Sequence, residues 1–186
     1  MKKILTIIAI TILFSAPGYA KSKPEVLPPP SIEKFTNAVR ECNITEIQTQ
    51  IDRKIDINRK DERGVTALML TAFWECPKIT QLLIDNGADV NLSDNQGWTA
   101  LTRAASSGYL DITTILVDNN ANINAATKGD RFTILMLTVS NEHVAIVKYL
   151  LSKKVKVNTR DKDGWRALRL ANNRTIRHLL KKAGAK

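Results

Sequence analysis

Four asparagines, Asn58, Asn91, Asn124 and Asn158, recur along this chain at spacings of 33, 33 and 34 residues. A fixed period of that length marks one supersecondary unit written several times over. Thr66-Ala67-Leu68, Thr99-Ala100-Leu101, Thr133-Ile134-Leu135 and Arg166-Ala167-Leu168 keep the step, each behind a glycine (Gly64, Gly97, Gly129, Gly164), as do Leu83, Leu116 and Leu150. Each unit reads as a Thr-capped helix, a short turn, and a second helix with apolar residues at i, i+3 and i+4, such as Ile79, Leu82 and Leu83. One such pair cannot bury its apolar face alone, so the period constrains the chain to a stack with a continuous core. Leu68, Leu101, Leu135, Leu168 and the second-helix leucines are its expected core.

Within the period, Asp94-Asn95-Gln96-Gly97-Trp98-Thr99-Ala100-Leu101 is similar to the opening of an ankyrin repeat. Leu82-Leu83-Ile84-Asp85-Asn86-Gly87-Ala88-Asp89-Val90-Asn91 is similar to its close. The resemblance covers roughly residues 35 to 186. It implies an all-α ankyrin-repeat solenoid of about five helix-loop-helix repeats with short hairpin-like loops, at approximately 31–58, 59–91, 92–124, 125–158 and 159–186. Two repeats depart from the pattern. One extra residue lies between Asn124 and Thr133, which lengthens that loop. The last repeat has Arg166 in place of the capping Thr and is three residues shorter between its helices, as a terminal cap would be.

The first twenty residues read differently. Met1, Lys2 and Lys3 precede an apolar run from Ile4 to Phe14, and Gly18 and Ala20 place small side chains before a cut. Residues 1–20 are therefore expected to be a cleavable secretory signal, cut after Ala20, with the product soluble and periplasmic or secreted. The run is shorter than the roughly 20 apolar residues that span a bilayer. Residues 21–30 carry four prolines and are expected to be an extended tether. Residues 31–186 then form the repeat domain.

Loss of Lys2 and Lys3 takes the formal charge from +10 to +8. From Lys148 to Lys186 there are 13 basic residues against only Asp161 and Asp163, whereas Lys21 to Val147 is net acidic. Clustered cations attract phosphate, but export argues against nucleic acid as the partner. An acidic protein or an anionic envelope component such as lipid or polysaccharide fits the field, with Arg169, Arg174, Arg177, Lys181 and Lys182 as the basic patch. A polar cap that only keeps the stack soluble explains the same residues.

Catalytic signatures are missing. There is no Gly-x-Ser-x-Gly turn, no phosphate-cradling glycine loop and no paired metal-ligand spacing, so the chain is expected to be no enzyme and to need no cofactor or metal. His143 and His178 have no evident partner. Cys76 and His143 lie two repeats apart, far beyond hydrogen-bonding reach. Export would allow Cys42 and Cys76, in adjacent repeats, to form a disulfide. Their positions are not strictly equivalent, and two separate buried thiols remain the alternative.

Ankyrin repeats typically bind through the inner side of the first helices and the loop tips, so the resemblance implies a protein partner there. Val65, Trp98, Phe132 and Trp165 precede the capping positions and form a ladder along one edge, which either meets a partner or packs on its own loop. Phe73 and Trp74 stand where the next repeat has Ser106 and Ser107. Arg103 replaces the leucine of the other repeats, so its charge is expected to face solvent or a partner. Loop-tip residues Arg63, Gln96, Lys128, Arg131 and Lys162 complete the expected patch. By family analogy the chain is a periplasmic protein-binding module, either an inhibitor or immunity protein of a secreted effector or an accessory factor to a periplasmic stress enzyme. Polar ends imply a monomer when free.

Overall fold

Short polar side chains start most of the helices. In the computed structural model, which describes residues 31–186, Ser31, Asn43, Thr66, Thr99, Thr133 and Asn173 each accept a hydrogen bond from an amide two or three residues on. The expected signal and tether lie outside the described residues. The helices they begin are paired. They are α1 (Ile32–Arg40) with α2 (Ile44–Asp52), α3 (Ala67–Phe73) with α4 (Pro77–Asp85), α5 (Ala100–Ser107) with α6 (Leu110–Asp118), α7 (Ile134–Ser140) with α8 (Val144–Ser152), and α9 (Ala167–Leu170) with α10 (Arg174–Lys182). First helices pack on first helices and second on second, which is an all-α solenoid. Helices this short are marginal alone, so each depends on its neighbours in the stack.

The core follows the period. Leu68, Leu101 and Leu135 are buried from the first helices, and Ile79, Ile112, Ile146 and Ile176 from the second. Leu83, Leu116 and Leu150 form a third buried row, but the first repeat has Gln50 in that row, fully buried. Its side chain accepts from the Ser31 amide at 2.8 Å and donates to Glu46 at 2.7 Å, so the polar group is satisfied and fixes where the chain enters α1. Leu168 and Leu82, expected in the core, are only half-buried; Leu168 lies in the terminal repeat, which has a neighbour on one side only.

The recurring asparagines stitch one repeat to the next. Asn91 accepts from the Asn122 amide at 2.8 Å and donates to the Asn120 carbonyl at 3.3 Å. Asn58 holds Asp89 and Gly87 in the same way, Asn158 holds Lys186 and Gly184, and Asn124 accepts from Lys156. The turns that close the second helices would otherwise leave these backbone groups to water.

Between repeats, the loops make narrow fingers. Asp61, Asp94 and Asp161 each accept two amides through Oδ1, which folds the finger back on itself. Gly97, at φ +83, packs so close beneath the next finger that an added Cβ would lie 2.7 Å from the Lys128 amide nitrogen. Adjacent fingers are joined by the Asn95 amide to Arg63 O, Lys128 to Gln96 O and Lys162 to Asp130 O, at 2.8–3.0 Å.

Two details differ from the sequence reading. The extra residue of the third finger moves the left-handed position from glycine to Arg131, at φ 56, and Thr127 stands in for the aspartate by accepting from Phe132. Gly129 therefore is not the turn glycine of its repeat. In the last repeat the turn is not shortened. Helix α9 itself has only four residues, and the Arg177 guanidinium donates to the Ala171 carbonyl at 2.6 Å where the missing turn would have continued.

Candidate functional site

The inner side of the first helices and the finger edges enclose a groove of about 730 Å3. Its floor is Val65, Met69 and Leu70, and Phe73 with Trp74 form one wall. Helix α3 ends at Phe73, and Trp74 caps it with its N–H on the Leu70 carbonyl. The two rings meet edge to face at a centroid distance of 4.8 Å, yet Phe73 is 60% and Trp74 41% exposed. Large apolar side chains held open by their own backbone position are what an interface core uses. The Arg40 guanidinium lies 5.9 Å from the Trp74 ring centroid, in cation–π range.

A disulfide braces that wall. Cys42 and Cys76 are bonded, with their Cα atoms 5.7 Å apart. The offset that made the pairing uncertain is what allows it. Cys42 holds the left-handed position just before the second helix, at φ 51, while Cys76 holds the following N-cap position in the next repeat. The same offset brings Gly108 against the His143 ring. The Trp74 carbonyl lies 3.5 and 3.9 Å from the Cys76 and Cys42 sulfurs, so the bridge lies against the backbone of the residue that carries the exposed indole.

The opposite wall carries an ion pair. Arg103 faces the groove with its side chain 27% exposed, and its charge is met within the chain: it pairs with Asp94, which is 4% exposed, and lies 5.9 Å from the Trp98 ring centroid. Asp94 can hold it because Oδ1 is taken by the Gln96 and Trp98 amides, leaving Oδ2 for the guanidinium. Asp61 repeats the arrangement at the surface with Arg63 at 3.3 Å. Burial pushes the Asp61 carboxyl up, but the Val65 amide and the Arg63 side chain outweigh it and hold the group below its usual range.

Of the expected binding residues, the groove gathers Arg63, Phe73, Trp74, Gln96 and Arg103. Trp98 adjoins it through Arg103. Lys128, Arg131, Phe132, Lys162 and Trp165 lie outside its lining. The aromatic ladder is uneven, since Trp98 and Phe132 are half-buried and only Trp165 is open, at 41% exposure. Lys162 is tied to Asp130 on the neighbouring finger. Sequence reasoning missed Arg40 and Glu62 at the rim. Extending the repeat alignment one period upstream finds Arg40, which stands where Phe73 and Ser106 stand.

Among the other groups, His143 does have a partner, its Nε2 lying 2.8 Å from the Ser106 carbonyl, whereas His178 is exposed. At the C-terminal end, Arg169 stacks on Trp165 at 4.3 Å, and Arg174, Lys181 and Lys182 are exposed. Among the described residues, no three His, Cys, Asp or Glu side chains cluster as metal ligands, and no helix is long and apolar enough to cross a membrane. The family model for ankyrin repeats (3 copies) matches residues 35–127 and 125–186. A search of curated proteins finds no match.

Proposed function

From the premise that the chain belongs to the ankyrin-repeat family, whose repeats serve as protein-interaction modules, we propose that it binds a protein partner through the groove walled by Phe73 and Trp74. The observation that carries this is an aromatic pair left open at the inner end of α3, where the next repeat has two serines. Nothing in the packing of the stack requires those rings, and a disulfide and an ion pair hold the walls on either side of them. A groove preorganised in this way keeps the ordering cost of binding low.

The finer reading is a periplasmic or secreted inhibitor, such as an immunity protein of an exported effector. It rests on the signal-like first twenty residues and on a disulfide suited to an oxidising compartment. An accessory factor to a periplasmic stress enzyme is compatible with the same groove. Parallel crosslinking pull-downs with the wild-type chain and Trp74→Ala test the binding role. A stoichiometric, salt-resistant partner should be lost from the variant by tenfold or more. Equal recovery by both chains would remove the groove from the account.

A further inference from the structure

We propose a second surface, independent of the groove: the C-terminal end of the solenoid seats the protein on an anionic lipid bilayer. From Lys148 to Lys186 the chain has 13 cations and two acids, Asp161 and Asp163, both in the last finger and neither on α10. Asp161 is 6% exposed and occupied by the Asp163 and Trp165 amides through Oδ1. Lys153 is paired with Asp118, Lys162 with Asp130, and Arg177 with the Ala171 carbonyl. Arg174, Lys181 and Lys182, all exposed on α10, have no ion-pair partner among the described residues.

Capping alone does not require this. A terminal repeat needs a polar outer face, but polarity of mixed sign suffices. The other end of the stack has that mixture, with Glu33, Lys34, Arg40 and Glu41 exposed around α1. One sign only along α10, with Arg174, Arg177, Lys181 and Lys182 and no acid, is therefore a field and not merely a solubilising coat. The choice of a bilayer over an acidic protein rests on Trp165. It is exposed in the same repeat and carries the Arg169 guanidinium at 4.3 Å from its ring. An exposed indole with a guanidinium on its ring, in the same repeat as the α10 cations, matches the headgroup layer, where Trp places its ring among the headgroups and Lys and Arg reach lipid phosphates.

Cosedimentation of the whole chain with phosphatidylcholine vesicles, with and without phosphatidylglycerol, tests the proposal. Binding is expected only with phosphatidylglycerol, weakening as salt rises, and falling about tenfold or more in the Arg174→Glu, Lys181→Glu, Lys182→Glu triple variant. Circular dichroism checks that the triple variant is folded. Trp74→Ala should bind vesicles like wild type, so failure of the groove reading and failure of this one are separable. With Trp74 and Trp98 replaced by Phe, Trp165 emission should shift to the blue on the same vesicles. Equal binding to both vesicles, none at low salt, or retention by the triple variant overturns the proposal. So does a preference for a soluble polyanion or an acidic protein over the vesicles.

Discussion

At the residue scale, one carboxylate can hold a finger and a guanidinium together because its two oxygens have separate tasks. Asp94 gives Oδ1 to two amides and Oδ2 to Arg103, while being 4% exposed. Asp94→Ala removes all three interactions and leaves Arg103 partly buried without its counter-charge, so it should cost about 3 kcal/mol in urea denaturation. A loss below about 0.5 kcal/mol would show that the pair is incidental. Asp61 makes the exposed version of the same contacts, and its proton affinity is lower folded than unfolded, where 3.8 is usual. A depressed folded pKa favours the folded state once the group is ionised. That contribution is present above about pH 4 and is lost as pH falls through the folded value. Asp61→Asn should therefore flatten the acid side of the stability profile relative to wild type, as read from thermal unfolding at a series of pH values. An unchanged acid limb would contradict this assignment.

At the scale of one element, α9 shows what a missing cap does. Thr66, Thr99 and Thr133 accept an amide of their own first turn, whereas Arg166 makes no such bond and its Nε is buried without a partner. The helix behind it has four residues where α5 has eight. Arg166→Thr should stabilise the chain by about 1 kcal/mol, read as a higher midpoint in urea. A lower midpoint would mean that the Arg166 stem is needed for packing. Helix α3 shows the converse. Its cap, its buried Met69 and the Thr71 to Thr80 hydrogen bond at 2.8 Å hold it well enough that Phe73 and Trp74 can stay open at its end.

At the scale of the whole molecule, stability passes only between neighbours, so the end repeats are the weak ones. The disulfide ties the first repeat to the second across a sequence separation of 34 residues. By the loop-entropy account it contributes about 4 kcal/mol. Cys42→Ser with Cys76→Ser should lower the melting temperature and free α1 and α2 to exchange amide hydrogens. Helices α5 to α8 should stay protected. Uniform loss of protection across all repeats would indicate one cooperative unit in place of a nearest-neighbour stack.

What the sequence determined by itself was the architecture, because repeated residues report repeated local physics. The threonine before three of the first helices, the leucine rows and the asparagines at spacings of 33 and 34 name the unit, and stacking is the only way such units bury their faces. The open pair Phe73 and Trp74 was also legible, since alignment of the repeats shows serines where they stand. Tertiary structure alone decided what depends on offset and direction. The cysteine bridge turns on a one-residue shift between positions in adjacent repeats, which a period cannot express. Arg103 reads as an outward charge, and that it is also paired shows only when the free oxygen of a buried aspartate is found within its reach. Trp98 and Trp165 hold the same place in the period, yet one is half-buried and the other open. Exposure at the end of a stack is set by how many neighbours a repeat has, which no single repeat encodes.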